Sequence, residues 1–395
     1  MPEPTDIGTR LCDIRKRRGL TQGQLSDASG VSLSLIRKLE QQQVDRTRLE
    51  TARKLAAALR IPTSCLLDRG NADAGQHAEV PSTLWLPVRQ AVELPPPKLA
   101  DQPTTAGVQA AVDAVKRKLN SDHLAEVATL LPHALHDAEG LGDAPGGRVV
   151  QAYALQLAGS VLTQTHQYDA AGTALRRALA AAEDQQRSAS IVGTMCWLAM
   201  RQGRLTEARE LATKWADEVE PHRLSRASTE DLAAWGGLLL HLSAVCIRDN
   251  RPEESADALQ LARGLAVITG RELSLGARLS TWGPLAVAYK RAEQHMILDR
   301  PDMVLRIGKD VAARTSPQGQ AQTEYNRHRL DVAAAHSRMR DHGQAVEVLE
   351  DVHARVPEWL SQQRYARDIL DEVVKRRRTL TSEMRRLVDA VGLSM

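Results

Sequence analysis

Within seven residues, Ser32, Leu33, Ser34, Arg37 and Lys38 supply two hydroxyls, one aliphatic side chain, a guanidinium and an ammonium. On a helix, Leu33 neighbours Arg37 and Ser34 neighbours both cations, because residues three and four apart share a face. A guanidinium gives planar paired donors, an ammonium a point charge, and an exposed aliphatic group a partner for a methyl. That set suits recognition of a polyanion with hydrogen-bonding edges. Two short amphipathic helices can position it. Thr21 is an N-cap for a helix opening at Gln22, after Leu20, with Leu25 and Ala28 as its buried face and Gly30 as its left-handed stop. Val31 then enters the core and Ser32 caps a second helix whose Leu35, Ile36 and Leu39 can face inward. Two helices broken at a glycine form a helix-turn-helix, whose second helix enters a DNA groove.

Charge agrees locally rather than globally. The 395-residue chain carries only +3, but residues 5–68 hold twelve Lys or Arg against seven Asp or Glu, so the remaining 331 are slightly acidic. Arg15, Arg17 and Arg18 end the first helix and Arg46 follows the second of the pair. These cations suit phosphate contact, with affinity that falls as salt rises. Read alone, Arg15–Arg18 equally fit a solvated helix end, where cations favour the dipole.

From about Ile7 to Asp68 the chain resembles the Xre/Cro family of DNA-binding domains, which implies five helices with the recognition element third. Helix one is IGTRLCDIRKRRG, with Ile7, Leu11 and Ile14 on one stripe; helix four, TRLETARKLAAALR, carries Leu49, Ala52, Leu55, Ala56 and Leu59. IPTSCLL resembles the closing short helix, with Leu66 and Leu67 over the core. The loop QQQVDRTR departs from the pattern by about one residue and lacks the usual turn glycine and proline; Leu33 stands where the family usually places a polar base-reading side chain.

The length implies further domains. Residues 1–68 form the DNA-binding unit; 69–106 read as a linker, polar in RGNADAGQHAEV and extended in ELPPP, with a docking segment around Trp85; 107–395 read as helical repeats. No apolar run reaches the ~20 residues of a membrane span and the N-terminus lacks a signal-peptide core, so the expected location is cytoplasmic. Cys12, Cys65, Cys196 and Cys246 lack metal or disulfide spacing and read as small buried residues, with a redox role for Cys196 or Cys246 as the alternative. His123, His133 and His136 gain no completing ligand, and no phosphate loop, HExxH, GxSxG or GxGxxG is present. The expectation is a non-enzyme with no cofactor and no metal.

Beyond Gly107 the chain repeats itself. Anchors Ala171/Leu175/Ala178, Ala208/Ala212/Trp215, Ser255/Leu259/Ala262, Val304/Gly308/Val311 and Ala345/Leu349/Val352 recur 37 to 49 residues apart. This resembles degenerate tetratricopeptide repeats, whose ideal period is about 34 residues. Five or six helix pairs and a terminal cap over KRRRTLTSEMRRLVDAVGL are expected, so the fold class is all-α, a five-helix lambda-repressor-like domain followed by a right-handed α-solenoid. Projecting the pattern onto its concave wall selects Tyr153, Gln156, Ser160, Gln164, Trp197, Met200, Arg201, Arg248, Tyr289, Glu293, Arg327 and Arg338. Arg201, Arg248 and Arg338 each lie seven residues before their repeat's first anchor, a column that suits a carboxylate, phosphate or peptide backbone, or simple helix capping.

The two parts together resemble the peptide-responsive regulators of Gram-positive bacteria grouped as the RRNPP family. That resemblance implies a homodimer reading a palindromic operator on double-stranded DNA. Leu33 and Arg37 would discriminate bases, with Ser32 and Ser34 beside them, while Gln22 and Lys38 would hold phosphates. It also implies a solenoid that binds a signalling peptide or small metabolite, with Asn326 as the candidate peptide-clamping asparagine. The alternative is a scaffold whose repeats grip a macromolecular partner while the N-terminal domain tethers it to DNA.

Overall fold

The computed structural model describes residues 6–44, 46–67, 83–97, 101–274, 281–314, 322–376 and 379–393. The polar linker 69–80 and two arginines of the KRRR run, Arg377 and Arg378, lie outside them.

The N-terminal domain is α1 (Ile7–Arg17), α2 (Gln22–Ser29), α3 (Leu33–Glu40) and α4 (Leu49–Leu59), closed by a single 3-10 turn, Thr63–Cys65, in place of a full fifth helix. Local chemistry sets its boundaries. Thr21 and Gln24 form a reciprocal capping box at the start of α2, Gly30 ends that helix at φ 68°, and Ser32 accepts from Leu35 N to open α3. The buried face of α2 is Leu25 and Ser29, not Leu25 and Ala28, which is exposed. Ser29 enters the core because its hydroxyl donates to Leu25 O at 2.6 Å and accepts from Val31 N at 3.2 Å. Helix α1 crosses α3 so closely that a Cβ at Gly8 would lie 1.9 Å from Leu39 O. In the loop after α3, Gln42 takes the left-handed conformation, φ 57°, without the glycine that usually occupies such a place.

After a 3-10 turn at Thr83–Trp85, α5 (Leu86–Glu93) leads into six helix pairs among the described residues. These are α6 (Thr105–Asn120) with α7 (Leu124–Gly140), α8 (Gly147–Gln164) with α9 (Tyr168–Ala181), and α10 (Gln185–Arg201) with α11 (Leu205–Val219). They continue as α12 (Thr229–Arg248) with α13 (Pro252–Thr269), α14 (Pro284–Ile297) with α15 (Pro301–Arg314), and α16 (Gln322–Arg338) with α17 (His342–Arg355). Helices α18 (Pro357–Ser361), α19 (Arg364–Lys375) and α20 (Ser382–Val391) end the chain. From α6 onward each first helix packs on the next first helix, while each second helix fills the angle between them. The turn inside every pair carries one residue at positive φ: Asp122, His166, Gly203, Asn250, Asp299 and Arg340. The same device therefore recurs once per pair.

The repeat anchors are the contacts between layers. All are buried except Trp215 and Gly308, which are half-buried, and a Cβ at Gly159 would lie 2.5 Å from Leu175. Trp85 and Val88 of the expected docking segment are buried with α7, α8 and α9. One departure from an all-helical chain is a two-residue antiparallel ladder, Leu273–Ser274 with Thr281–Trp282, which presses Trp282 onto Gly236 of α12. Helix α12 is long and apolar enough to cross a membrane by length and composition, and 72% of its most apolar eighteen-residue stretch is buried within the protein. Burial pushes the thiols of Cys196 and Cys246 up to about 12, which opposes thiolate chemistry, whereas Cys65 is exposed rather than buried.

The array also closes on itself. The Asp122 carboxylate accepts from Glu358 N and Trp359 N, both at 2.6 Å, and Glu358 Oε2 accepts from Leu124 N at 2.7 Å. Two helix N-termini thus face each other, each capped by the other's acid.

Candidate nucleic-acid interface

Helix α3 has two chemically distinct sides. Ile36 and Leu39 are fully buried and Leu35 half-buried, while Ser32, Ser34, Arg37 and Lys38 are exposed and Leu33 half-buried. Neither Arg37 nor Lys38 bonds another described residue, so both cations are available to a partner. Arg17 and Arg18 are exposed at the end of α1, and Arg46 is exposed beyond α3.

Arg15 does not belong to this surface. It lies in register with Ile7 and Leu11 on the buried face of α1, and its guanidinium binds Glu40 at the end of α3 through Nε at 2.6 Å and Nη2 at 2.7 Å. Its Nη1 donates to Leu20 O at 2.7 Å. The register was visible in the sequence; the partner twenty-five residues away was not. Gln22 is drawn into the same network, donating Nε2 to Glu40 Oε2 at 2.8 Å. Burial pushes the Glu40 carboxyl up, but the bonds from Arg15 and Gln22 outweigh it and hold the group below its ordinary range. This network locks α1, α2 and α3 together and so fixes the angle at which α3 is presented.

The opposite side of the domain rests on the helical array, a contact no sequence motif announced. Thr63 Oγ1 donates to Arg248 O at 2.9 Å, Ser64 N donates to Asp249 Oδ1 at 2.7 Å, and Asn250 Nδ2 donates to Arg53 O at 3.1 Å. The 3-10 turn thereby satisfies orphan groups at the end of α12. Leu66 and Leu67 share one apolar cluster with Met200, Leu205 and Val245. Beside this contact, a cavity of about 980 Å³ between α4 and the array is lined by Glu50, Arg53, Asp299, Arg338 and Tyr365, among others.

The projected ligand wall divides. Tyr153, Gln156, Gln164 and Asn326 are buried, the first fully and Asn326 to 1% exposure, so they are packing residues. Helix α8 is covered by α5, α6 and α7 as well as α9 and α10, which leaves no open wall there. Gln156 spends its amide on Ser190 and Thr194, and Met200 lies in the interdomain cluster. The arginine column separates too. Arg248 pairs with Glu293 and donates to Ala244 O; Arg338 donates to Asp299 and Met296 O and lies 3.8 Å from Glu50 of the DNA-binding domain. Trp197, Arg201 and Arg327 remain half-buried, with the Arg327 guanidinium 4.6 Å over the Trp197 ring. Tyr289 stacks on His328 at 5.1 Å between ring centroids.

No curated protein matches the chain. Residues 13–64 match the helix-turn-helix family model, a span that runs from the middle of α1 through the closing 3-10 turn and contains the whole of α3. The match supports an Xre-type helix-turn-helix domain over these residues and a DNA-binding transcriptional regulator.

Proposed function

We propose that the chain is a ligand-responsive transcriptional regulator. It binds an inverted-repeat operator as a homodimer, and it uses a degenerate tetratricopeptide-like array to couple a small ligand to that binding. One observation carries the reading. The helix-turn-helix is held from behind by the array, through the 3-10 turn at Thr63–Cys65, while the polar side of α3 stays open. A ligand that altered the array would act on the domain through its support rather than by competing for DNA. The left-handed residue inside each helix pair supports the repeat assignment, because its spacing follows the spacing of the buried anchors. No catalysis is assigned to the chain.

The test is selection of bound sequences from random duplex DNA, followed by titration of the recovered site with wild type and Arg37→Ala. An inverted repeat should emerge. The variant should bind it roughly 10- to 100-fold more weakly, the cost of one bidentate base contact. Equal affinity for the selected site in both proteins would remove α3 as the reading element.

A further inference from the structure

The first helices α10, α12, α14 and α16 pack in succession, and α16 returns to face α10, since Arg327 covers the ring of Trp197. Arg201 lies one turn beyond Trp197 on the same side of α10, so two guanidinium groups border one recess. The neighbouring cations are already neutralised: Arg248 and Lys290 both pair with Glu293. Glu293 and Glu324 offset the charge of Arg327 only in part, and the nearby acids also have other partners. Glu324 accepts from Thr281 Oγ1 at 3.2 Å, and Asp331 is hydrogen-bonded to Tyr365. Arg201 and Arg327 make no ion pair with any described acid, and Arg201 Nε is buried without a hydrogen-bond partner.

Charge in the recess is therefore unbalanced. Burial pushes the Asp331 carboxyl up to about 7 and raises Glu324 as well, which weakens the acids that could offset the arginines. Burial, followed by the charge of Arg201, pushes Arg327 down to about 10, so the two guanidinium groups disfavour each other. Uncompensated charge in a recess is costly unless a counter-charge arrives. Stacking on Trp197 holds one planar fork in place, and the second lies beside it, which is the donor arrangement that an oxyanion accepts.

We propose that Arg201 and Arg327 bind a carboxylate or phosphate group of a small ligand in the recess between α10 and α16. The proposal rests on the ligand-sensing reading of the array and assigns the chemical class of that ligand. It replaces the arginine column of the sequence pattern, in which Arg248 and Arg338 are paired and Arg201 makes no ion pair with a described residue.

The experiment measures thermal unfolding of the full chain with inorganic phosphate and, separately, with succinate. It compares wild type with Arg201→Gln, Arg327→Gln and the exposed-site control Arg306→Gln. At ten times the dissociation constant, binding should raise the wild-type and control Tm by on the order of 2 °C above the variants. A rise with phosphate alone assigns a phosphate-bearing ligand, and a rise with succinate alone assigns a carboxylate. Arg201 makes no bond to another described residue, so Arg201→Gln keeps the test valid if Arg327→Gln does not fold. Equal rises in wild type and Arg201→Gln overturn the site. Operator affinity, measured in parallel, separates the two readings: anion binding that leaves it unchanged keeps the site and removes the sensing role.

Discussion

Replacing Arg15 by Met decides whether the basic end of α1 acts on DNA or on the fold. The side chains of Arg15 and Glu40 are 10% and 4% exposed, and they are joined by two bonds of 2.6 and 2.7 Å. Methionine keeps most of the apolar stem and removes the guanidinium, leaving the Glu40 carboxylate buried with only the neutral partners Gln22 and Cys12 among the described residues. Breaking a buried pair from one side costs about 3–5 kcal/mol, a large part of the 5–15 kcal/mol that holds a domain folded. At 1.4 kcal/mol per factor of ten, amides of α1, α2 and α3 should exchange with solvent about two to three and a half decades faster. Arg15→Met/Glu40→Met should recover most of the loss, because the orphaned charge goes with its partner. The pH dependence has a definite sign. Glu40 is held below its ordinary range in the fold, so the stability it contributes is fully present above the unfolded value of about 4.3 and is lost as pH falls through the lower folded value. The gap between wild type and Arg15→Met should therefore be level from about pH 6 to 8 and shrink in acid. Weakened operator binding by Arg15→Met with unchanged exchange and unchanged Tm would refute the structural role and return Arg15 to the DNA surface.

Two further substitutions probe how the reading helix is supported. Gly8→Ala should destabilise the N-terminal domain by about 1–3 kcal/mol in thermal unfolding, since its Cβ meets Leu39 O; helix propensity alone predicts the opposite sign. Asp249→Ala removes the acceptor of Ser64 N, so the Ser64 amide should lose protection worth about 1–3 kcal/mol while the core of α3 keeps its own. If exchange at Ser64 is unchanged, the domain is not held through the end of α12.

The helix-turn-helix was legible because its signals are local. The caps Thr21 and Ser32 and the stop Gly30 each act within three or four residues, and the structure places each as the spacing predicts. What spacing could not supply was partnership. Arg15 reads as one of four basic residues until Glu40 is brought beside it, and Ala28 and Ser29 compete for one buried position that a hydroxyl bond awards to serine. The repeats were legible as anchors, but the wall was projected as though every first helix were open on one side. Tyr153, Gln156 and Gln164 failed that projection because α5, α6 and α7 cover α8, and Asn326 failed because it is packed on the inward side of α16. Arg327 reaches Trp197, one turn from Arg201, only because the array curves back, which depends on the summed rotation of the two intervening pairs.

Helix pairs stacked in a row behave as a one-dimensional chain, with ends that fray and stability that grows by neighbour contacts. The clasp between Asp122 and Glu358 joins positions 236 residues apart. It converts the row into a loop without a free end at that junction. Local helix pairs can form early, but this contact pays the entropy of closing a very long segment, so it belongs to the last stage of folding. Once made, it makes the curvature of the whole array a single shared quantity, and a change at any one pair must be accommodated by all of them.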